Sequence, residues 1–199
     1  MPSDISAILK QIPDPIRGRD KVQLGYIFTP YSPPGRIESI FERMPLHLRE
    51  NPKYAVLDIG SCWGRTTKYM QERYGIAIGL EIEDNPLAKA RALYPDLHFI
   101  KGDGYYPDAY FNQDSFNIVF MLNLLEWVQH WSTDVKIVLD NVKKVMAPGE
   151  SYFISAEHDD PLVLKYHKYS GKVDILYPEV HELNESAFNI AWSFGLAQQ

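Results

Sequence analysis

The sequence predicts an α/β fold: a doubly wound, mostly parallel sheet with helices on both faces. Three observations lead there. Short runs such as AVLDI, AIGLEI and FNIVFML are continuously apolar and rich in β-branched residues, amphipathic stretches separate most of them, and glycines or Asp-Gly pairs mark several of the junctions. A strand without a polar face is buried on both sides, the condition of a parallel sheet covered by helices. Alternation of strand and helix then implies right-handed crossovers.

The elements follow in order. Ser3 is placed to cap a short helix in which Ile5, Ile8, Leu9 and Ile12 recur at helical spacing, ended by Pro13 and Pro15. The segment TPYSPPGR, residues 29–36, reads as a loop, because prolines fix φ and remove backbone donors. A helix over residues 37–48 leads to the core. From Tyr54 onward come AVLDI (strand), GRTTKYMQERY (helix), AIGLEI (strand), PLAKARALY (helix), LHFIKGD (strand) and FNIVFML (strand). A helix near Asp134 to Val145 and the strand SYFISAE complete the pattern.

Bulk properties set the bounds. A chain of 199 residues, 45% hydrophobic and 13% aromatic, can bury one substantial core but is short for two independent domains. A formal net charge of -6 matches a polyanion poorly, so nucleic acid is disfavoured as a partner and small molecules or proteins are favoured. Cys62 is the single cysteine, which excludes an intramolecular disulfide. The opening MPSDISAILKQIPD lacks the features of a signal peptide, and no apolar run approaches the ~18 residues of a membrane span. A cytoplasmic protein outside the membrane is expected.

Candidate chemistry concentrates where strands end. Asp58 closes the first strand and is followed by Gly60-Ser61-Cys62-Trp63-Gly64, a turn whose glycines let a ligand approach the backbone closely. Gly60 and Gly64 do not complete G-x-G-x-x-G, so a dinucleotide pyrophosphate is disfavoured. Asp58 would repel a phosphate but suit an ammonium group. Glu81 ends the second strand, near the ~20-residue separation at which an acidic residue receives ribose hydroxyls. Asp103-Gly104 ends the third, where a carboxylate could accept from an exocyclic amine. The three acids cover three parts of one nucleoside ligand, and S-adenosyl-L-methionine has an amino-acid end and no phosphate.

With these residues in place, the chain resembles the class I, Rossmann-like S-adenosylmethionine-dependent methyltransferases. Val56 to Gly64, Gly79 to Glu81, Gly102 to Gly104, Ser115 to Val119 and Ala147 to Glu150 are similar to that family's successive motifs, in its order. The resemblance implies Glu81 on the ribose and Asp103 near the adenine, flanked by Ile82, Gly104 and Tyr105. It also implies Asp58, Gly60, Ser61, Cys62 and Gly64 around the methionine end, with Asn123 completing the cofactor set. Residues 1–50 become N-terminal helices and a substrate-side loop, and residues 51–199 the cofactor domain.

Two departures stand out: Cys62 replaces the middle glycine of the family's turn, and Phe116-Asn117 replaces its Phe-Asp pair. At the C-terminus, SAFNIAWSFGLAQQ is similar to the family's last helix and the beginning of a sixth strand. No terminal strand pair is evident after it, so the sheet is expected either to lack that pair or to close differently. An exposed last strand invites pairing, leaving a monomer or an edge-mediated homodimer as the expected states.

The remaining candidates each have a plain alternative. His130, between Trp127 and Trp131, is either a general base facing the transferred methyl or a surface histidine, and Glu126 lies close by. Cys62 is better read as packing a loop than as a nucleophile. His158-Asp159-Asp160 is more readily an ordinary turn than a metal site. Tyr26, Phe28, Tyr31, Tyr105, Tyr106, Tyr110 and Phe111 form either an aromatic lid or core. Asn123-Leu124-Leu125-Glu126 lacks the motif of amino-methylating nucleic-acid enzymes. The favoured function is methylation of a small-molecule acceptor. The alternatives are a protein or nucleic-acid methyltransferase and a non-catalytic cofactor-binding module.

Overall fold

The computed structural model describes residues 4–11, 36–44, 46–122, 124, 135–148, 151–156, 173–175 and 190–196. Five strands form its parallel part: β1 (Asn51–Ile59), β2 (Tyr74–Glu81), β3 (His98–Lys101), β4 (Ile118–Leu122) and β5 (Tyr152–Ala156). The helices are α1 (Arg36–Arg43), α2 (Leu46–Arg49), α3 (Arg65–Gln71), α4 (Asp84–Leu93) and α5 (Val135–Val145). β1 pairs with both β2 and β4, so the chain reverses its direction of travel across the sheet at the β1/β4 boundary. In an open α/β sheet the carboxyl ends at such a switch point form the ligand crevice.

The sheet does not stop at β5. Strands β6 (Val173–Ile175) and β7 (Ile190–Leu196) extend it in the order β3-β2-β1-β4-β5-β7-β6, with β7 antiparallel to both neighbours. Of the two outcomes left open for the end of the sheet, a missing terminal pair is excluded, because β6 and β7 close it. The last strand is also not exposed, because the sheet edges are β3 and β6. NIAWSFGL mixes small, aromatic and polar residues without a clear period, and β6 is only three residues long, so neither announces itself as a strand.

Side chains alternate across the parallel strands, and both faces are dry. Val56, Ala77, Ile118, Phe120, Tyr152 and Ile154 pack with Ile37, Phe41, Met44, Leu48 and Met70 from α1, α2 and α3. The intervening Leu57, Ile59, Ile78, Leu80, Val119, Met121 and Phe153 pack with Val138, Val142 and Val145 of α5. Leu87 and Ala90 of α4 cover Phe99 of β3. This two-sided burial explains why the strands read as unbroken apolar runs.

The N-terminal expectations need adjustment. The first helix is a single 3-10 turn, Ile5–Ala7, capped by Asp4 rather than Ser3, with Ser6 N–H donating to Asp4 Oδ1 at 2.9 Å. Leu9 then bridges to Phe111 in a β-contact, so the strap is held by the sheet side of the fold rather than by helical continuity. The helix expected over 37–48 divides into α1 and α2, with Pro45 between them in sequence. Proline supplies no N–H to continue the first helix. The Phe116-Asn117 departure is structural: Asn117 Oδ1 accepts the Ala55 N–H at 3.0 Å, work for which an amide oxygen suffices.

Candidate functional site

The ends of β1, β2 and β3 converge with Leu124 at the carboxyl side of the sheet. The turn after β1 is held from below, because the N–H groups of Gly60 and Ser61 both donate to the Leu80 carbonyl, at 2.8 and 3.2 Å. Gly60, Cys62 and Gly64 have φ of 77°, 52° and 79°. At Gly64 glycine is required twice over, since a methyl group there would also stand 2.4 Å from the Phe99 ring. Cys62 adopts the left-handed conformation that a glycine would hold without strain.

A methyl group on Gly60 would meet Leu124 Cδ2 at 3.4 Å and nothing else within 4 Å besides that side chain. One on Gly104 would lie 3.5 Å from the same atom. Leu124 thus stands beside the turns after both β1 and β3. Ser61 points elsewhere: its hydroxyl is buried against Gly79 of β2 and has no hydrogen-bond partner. Its side chain packs the turn onto the sheet.

Asp58 is buried at the end of β1 and accepts the Thr67 hydroxyl at 2.6 Å. Burial raises its pKa from the ordinary 3.8 to about 7, against the Thr67 hydrogen bond and reinforced by the charge of Glu81. Glu81 is held by the chain itself, accepting the N–H of Cys62 at 2.8 Å on Oε2 and that of Glu83 at 2.9 Å on Oε1. Its pKa is raised chiefly by burial, opposed by hydrogen bonds from the backbone of Glu83, Cys62 and Ile82. Among the described residues, neither Asp58 nor Glu81 takes part in a salt bridge. The crevice therefore concentrates negative potential that a cationic ligand would relieve.

Burial pushes the Cys62 thiol up to about 12, with the Glu81 and Asp58 charges adding to the effect. Such a thiol is no nucleophile near neutral pH, in keeping with a packing role. Asp103 is fully buried, and its Oδ1 accepts the Tyr105 N–H at 3.0 Å, closing a tight turn through Gly104. Tyr105, Tyr110 and Phe111 are core residues and Tyr106 packs against them, so for this half of the aromatic set the core reading is the one that holds. Tyr26, Phe28, Tyr31, Asn123, Glu126, His130 and His158-Asp159-Asp160 lie outside the described residues.

Three residues that act on this site were not singled out from sequence. Thr67 answers Asp58 from the first turn of α3, Leu124 borders both glycine turns, and Asn141 of α5 bonds the Tyr105 carbonyl. Of these, Asn141 carried a signal: it occupies the apolar stripe formed by Val138, Val142 and Val145. No group of His, Cys, Asp and Glu among the described residues could hold a metal ion. No helix among them is long and apolar enough to cross a membrane.

Residues 57–154 match the model of a methyltransferase domain. No curated protein sequence matches the chain. Among solved structures, it is similar to a SAM dependent methyltransferase from Aquifex aeolicus, at 14% identity and a TM-score of 0.63 over 83% of this chain and 94% of that one. It is similar to a complex of the Haloferax volcanii Trm112 methyltransferase activator with a methyltransferase, at 17% identity and 0.59 over 81% and 88%. A third likeness is the YcgJ protein of Bacillus subtilis, at 20% identity and 0.51 over 64% of this chain and 53% of that one. The chain thus spans about half the length of YcgJ. At these identities the structures establish the fold alone. Residues 57–154 thus match a methyltransferase domain, set on the fold that these methyltransferase structures share.

Proposed function

We propose that this chain transfers the methyl group of S-adenosyl-L-methionine to a small-molecule acceptor. The observation that carries the reading is the pair of buried carboxylates, Asp58 and Glu81, beside a turn with Gly60 and Gly64 at positive φ and no salt-bridge partner among the described residues. A phosphate would be repelled there, whereas a ligand with an ammonium group and a sugar diol would be received. Asp58 and the backbone from Gly60 to Gly64 face the amino-acid end. Glu81, fixed by two backbone N–H groups, accepts from the ribose hydroxyls. Asp103, with Gly104, Tyr105 and Ile82, lines the adenine side.

When bound, the cofactor supplies a sulfonium-activated methyl group that a nucleophile takes by in-line displacement. The chain's part is to align the two reactants and exclude water, which is why no universal catalytic residue is required. A hydroxyl acceptor needs a base in addition, and His130 is our candidate, with Asn123 on the cofactor side. The net charge of -6 favours a small acceptor over a polyanion. Incubating the protein with methyl-labelled cofactor and size-separated cell extract tests the reading. Label is expected in the low-molecular-weight fraction, and label confined to protein or nucleic acid would overturn the acceptor class.

A further inference from the structure

We propose that Asn141 of α5 is a positioning residue for cofactor binding, its carboxamide holding the turn from Asp103 to Tyr106 in the shape that receives the adenine. The inference rests on the placement of the cofactor proposed above. Asn141 is 7% exposed within a stripe that is otherwise valine, and burying an amide is costly unless it is hydrogen-bonded. Its Nδ2 donates to the Tyr105 carbonyl at 2.9 Å, and its Oδ1 accepts from Lys144 Nζ at 2.8 Å. An ammonium has only donors to offer, so Lys144 must face the amide oxygen. The NH2 group is thereby turned toward Tyr105.

Lys144 also reaches Asp108 Oδ2 at 3.1 Å, so α5 grips the loop at two separate points. Inside the loop, Tyr105 N–H donates to the Asp103 carboxylate at 3.0 Å and Tyr106 N–H to the Asp103 carbonyl at 3.0 Å. Moving the Tyr105 carbonyl therefore moves the carboxylate assigned to the adenine. Gly104 brings the loop close against the end of β1, where a methyl group on it would stand only 2.3 Å from Ile59 Cγ2. The turn is clamped between the end of β1 and the polar position of α5. A valine at 141 would serve the core better, and the amide is used where the backbone of a binding loop needs a donor.

Asn141→Asp tests this with the side-chain shape unchanged: it keeps an acceptor for Lys144, removes the donor, and sets a charged oxygen against the Tyr105 carbonyl. Binding of S-adenosylhomocysteine and of adenosine is measured by calorimetry well below the variant's melting transition. Both dissociation constants are expected to rise about tenfold and by the same factor, since the defect lies at the nucleoside end. A purely structural role would lower the melting temperature and leave both constants within twofold of wild type, and that result overturns the inference. Loss of S-adenosylhomocysteine affinity with adenosine binding intact overturns it as well. Should Asn141→Asp not fold, Lys144→Met frees the amide from a half-exposed site, and a rise of about threefold in both constants is expected, with no rise refuting it. A wild-type protein that binds neither ligand would instead refute the cofactor placement, and the inference would fall with it.

Discussion

Replacing Asp58 with asparagine should stabilise the ligand-free protein at alkaline pH while weakening its hold on the cofactor. The carboxyl is buried, and its pKa stands at about 7 in the folded chain against 3.8 ordinarily. Below pH ~3 both states carry the proton and the group contributes nothing to pH dependence. As pH rises through 3.8 the unfolded chain releases its proton first, so the folded state is penalised by ~1.36 kcal/mol per pH unit. The penalty saturates once the folded carboxyl also ionises near pH 7, at roughly 4 kcal/mol. At pH 5 less than half of it has developed.

Asparagine keeps the shape and an oxygen for the Thr67 hydroxyl but never ionises. Its intrinsic cost is the same at every pH, so the difference between two pH values isolates the charge. That difference, about 2–3 kcal/mol between pH 5 and pH 8, corresponds to roughly 4–12 °C for a chain of this size. Thermal scans of both proteins at the two pH values should show the variant gaining by that amount at pH 8 relative to pH 5. Equal differences at both pH values would refute the account of Asp58 as a desolvated, uncompensated carboxylate. In parallel, S-adenosylhomocysteine should bind the variant at least tenfold more weakly, because the ammonium loses its counter-charge. Stability and binding moving in opposite directions is the mark of a group kept for its ligand.

S-adenosylhomocysteine at about 100 times its dissociation constant should stabilise the wild-type protein by ~2.7 kcal/mol and raise its melting temperature by roughly 5–11 °C, with NAD leaving it unmoved. Glu81→Ala should cut that shift, since hydrogen bonds to a charged group are worth ~1.5–3 kcal/mol; an undiminished shift would remove the ribose from Glu81. Gly60→Val places a β-branched side chain at φ 77° beside Leu124 and should abolish cofactor binding at a cost of ~1–3 kcal/mol, the far-UV circular dichroism staying near wild type. Cys62→Gly relieves a left-handed non-glycine residue but loosens the unfolded chain, so its stability should lie within ~1 kcal/mol of wild type and methyl transfer should persist. Loss of transfer in that variant with binding intact would restore the thiol as a participant.

How much of this was legible beforehand follows from where the free energy lies. The central parallel strands are buried over Ala55–Ile59, Ala77–Glu81 and Ile118–Met121, so most residues there must be apolar, and the runs around Leu57, Ile78 and Val119 were visible without coordinates. The strand-end acids were visible for the same reason in reverse: Asp58, Glu81 and Asp103 interrupt dry surroundings at the points where the chain turns. Short elements escaped, because their formation is decided by partners distant in sequence. The strand Val173–Ile175 exists through its pairing with β7, and the N-terminal strap through Ile8 in the core and Leu9 against Phe111.

The same distinction separates two kinds of site residue. Asp58 and Glu81 are placed by their own strands, and sequence position alone foretold their neighbourhood. Asn141 acts on a turn more than thirty residues earlier, from a helix that shares its core with β1. Its signature was nonetheless in the chain, as one amide in a valine stripe where hydrophobic burial alone would have favoured a fourth apolar side chain. A polar residue on a dry helical face must answer a specific donor or acceptor across the interface. In this domain that acceptor is the Tyr105 carbonyl, one residue beyond the glycine that presses the loop onto β1. The Asn141 hydrogen bond and the close approach thus act on the same turn, and hold the backbone that carries Asp103.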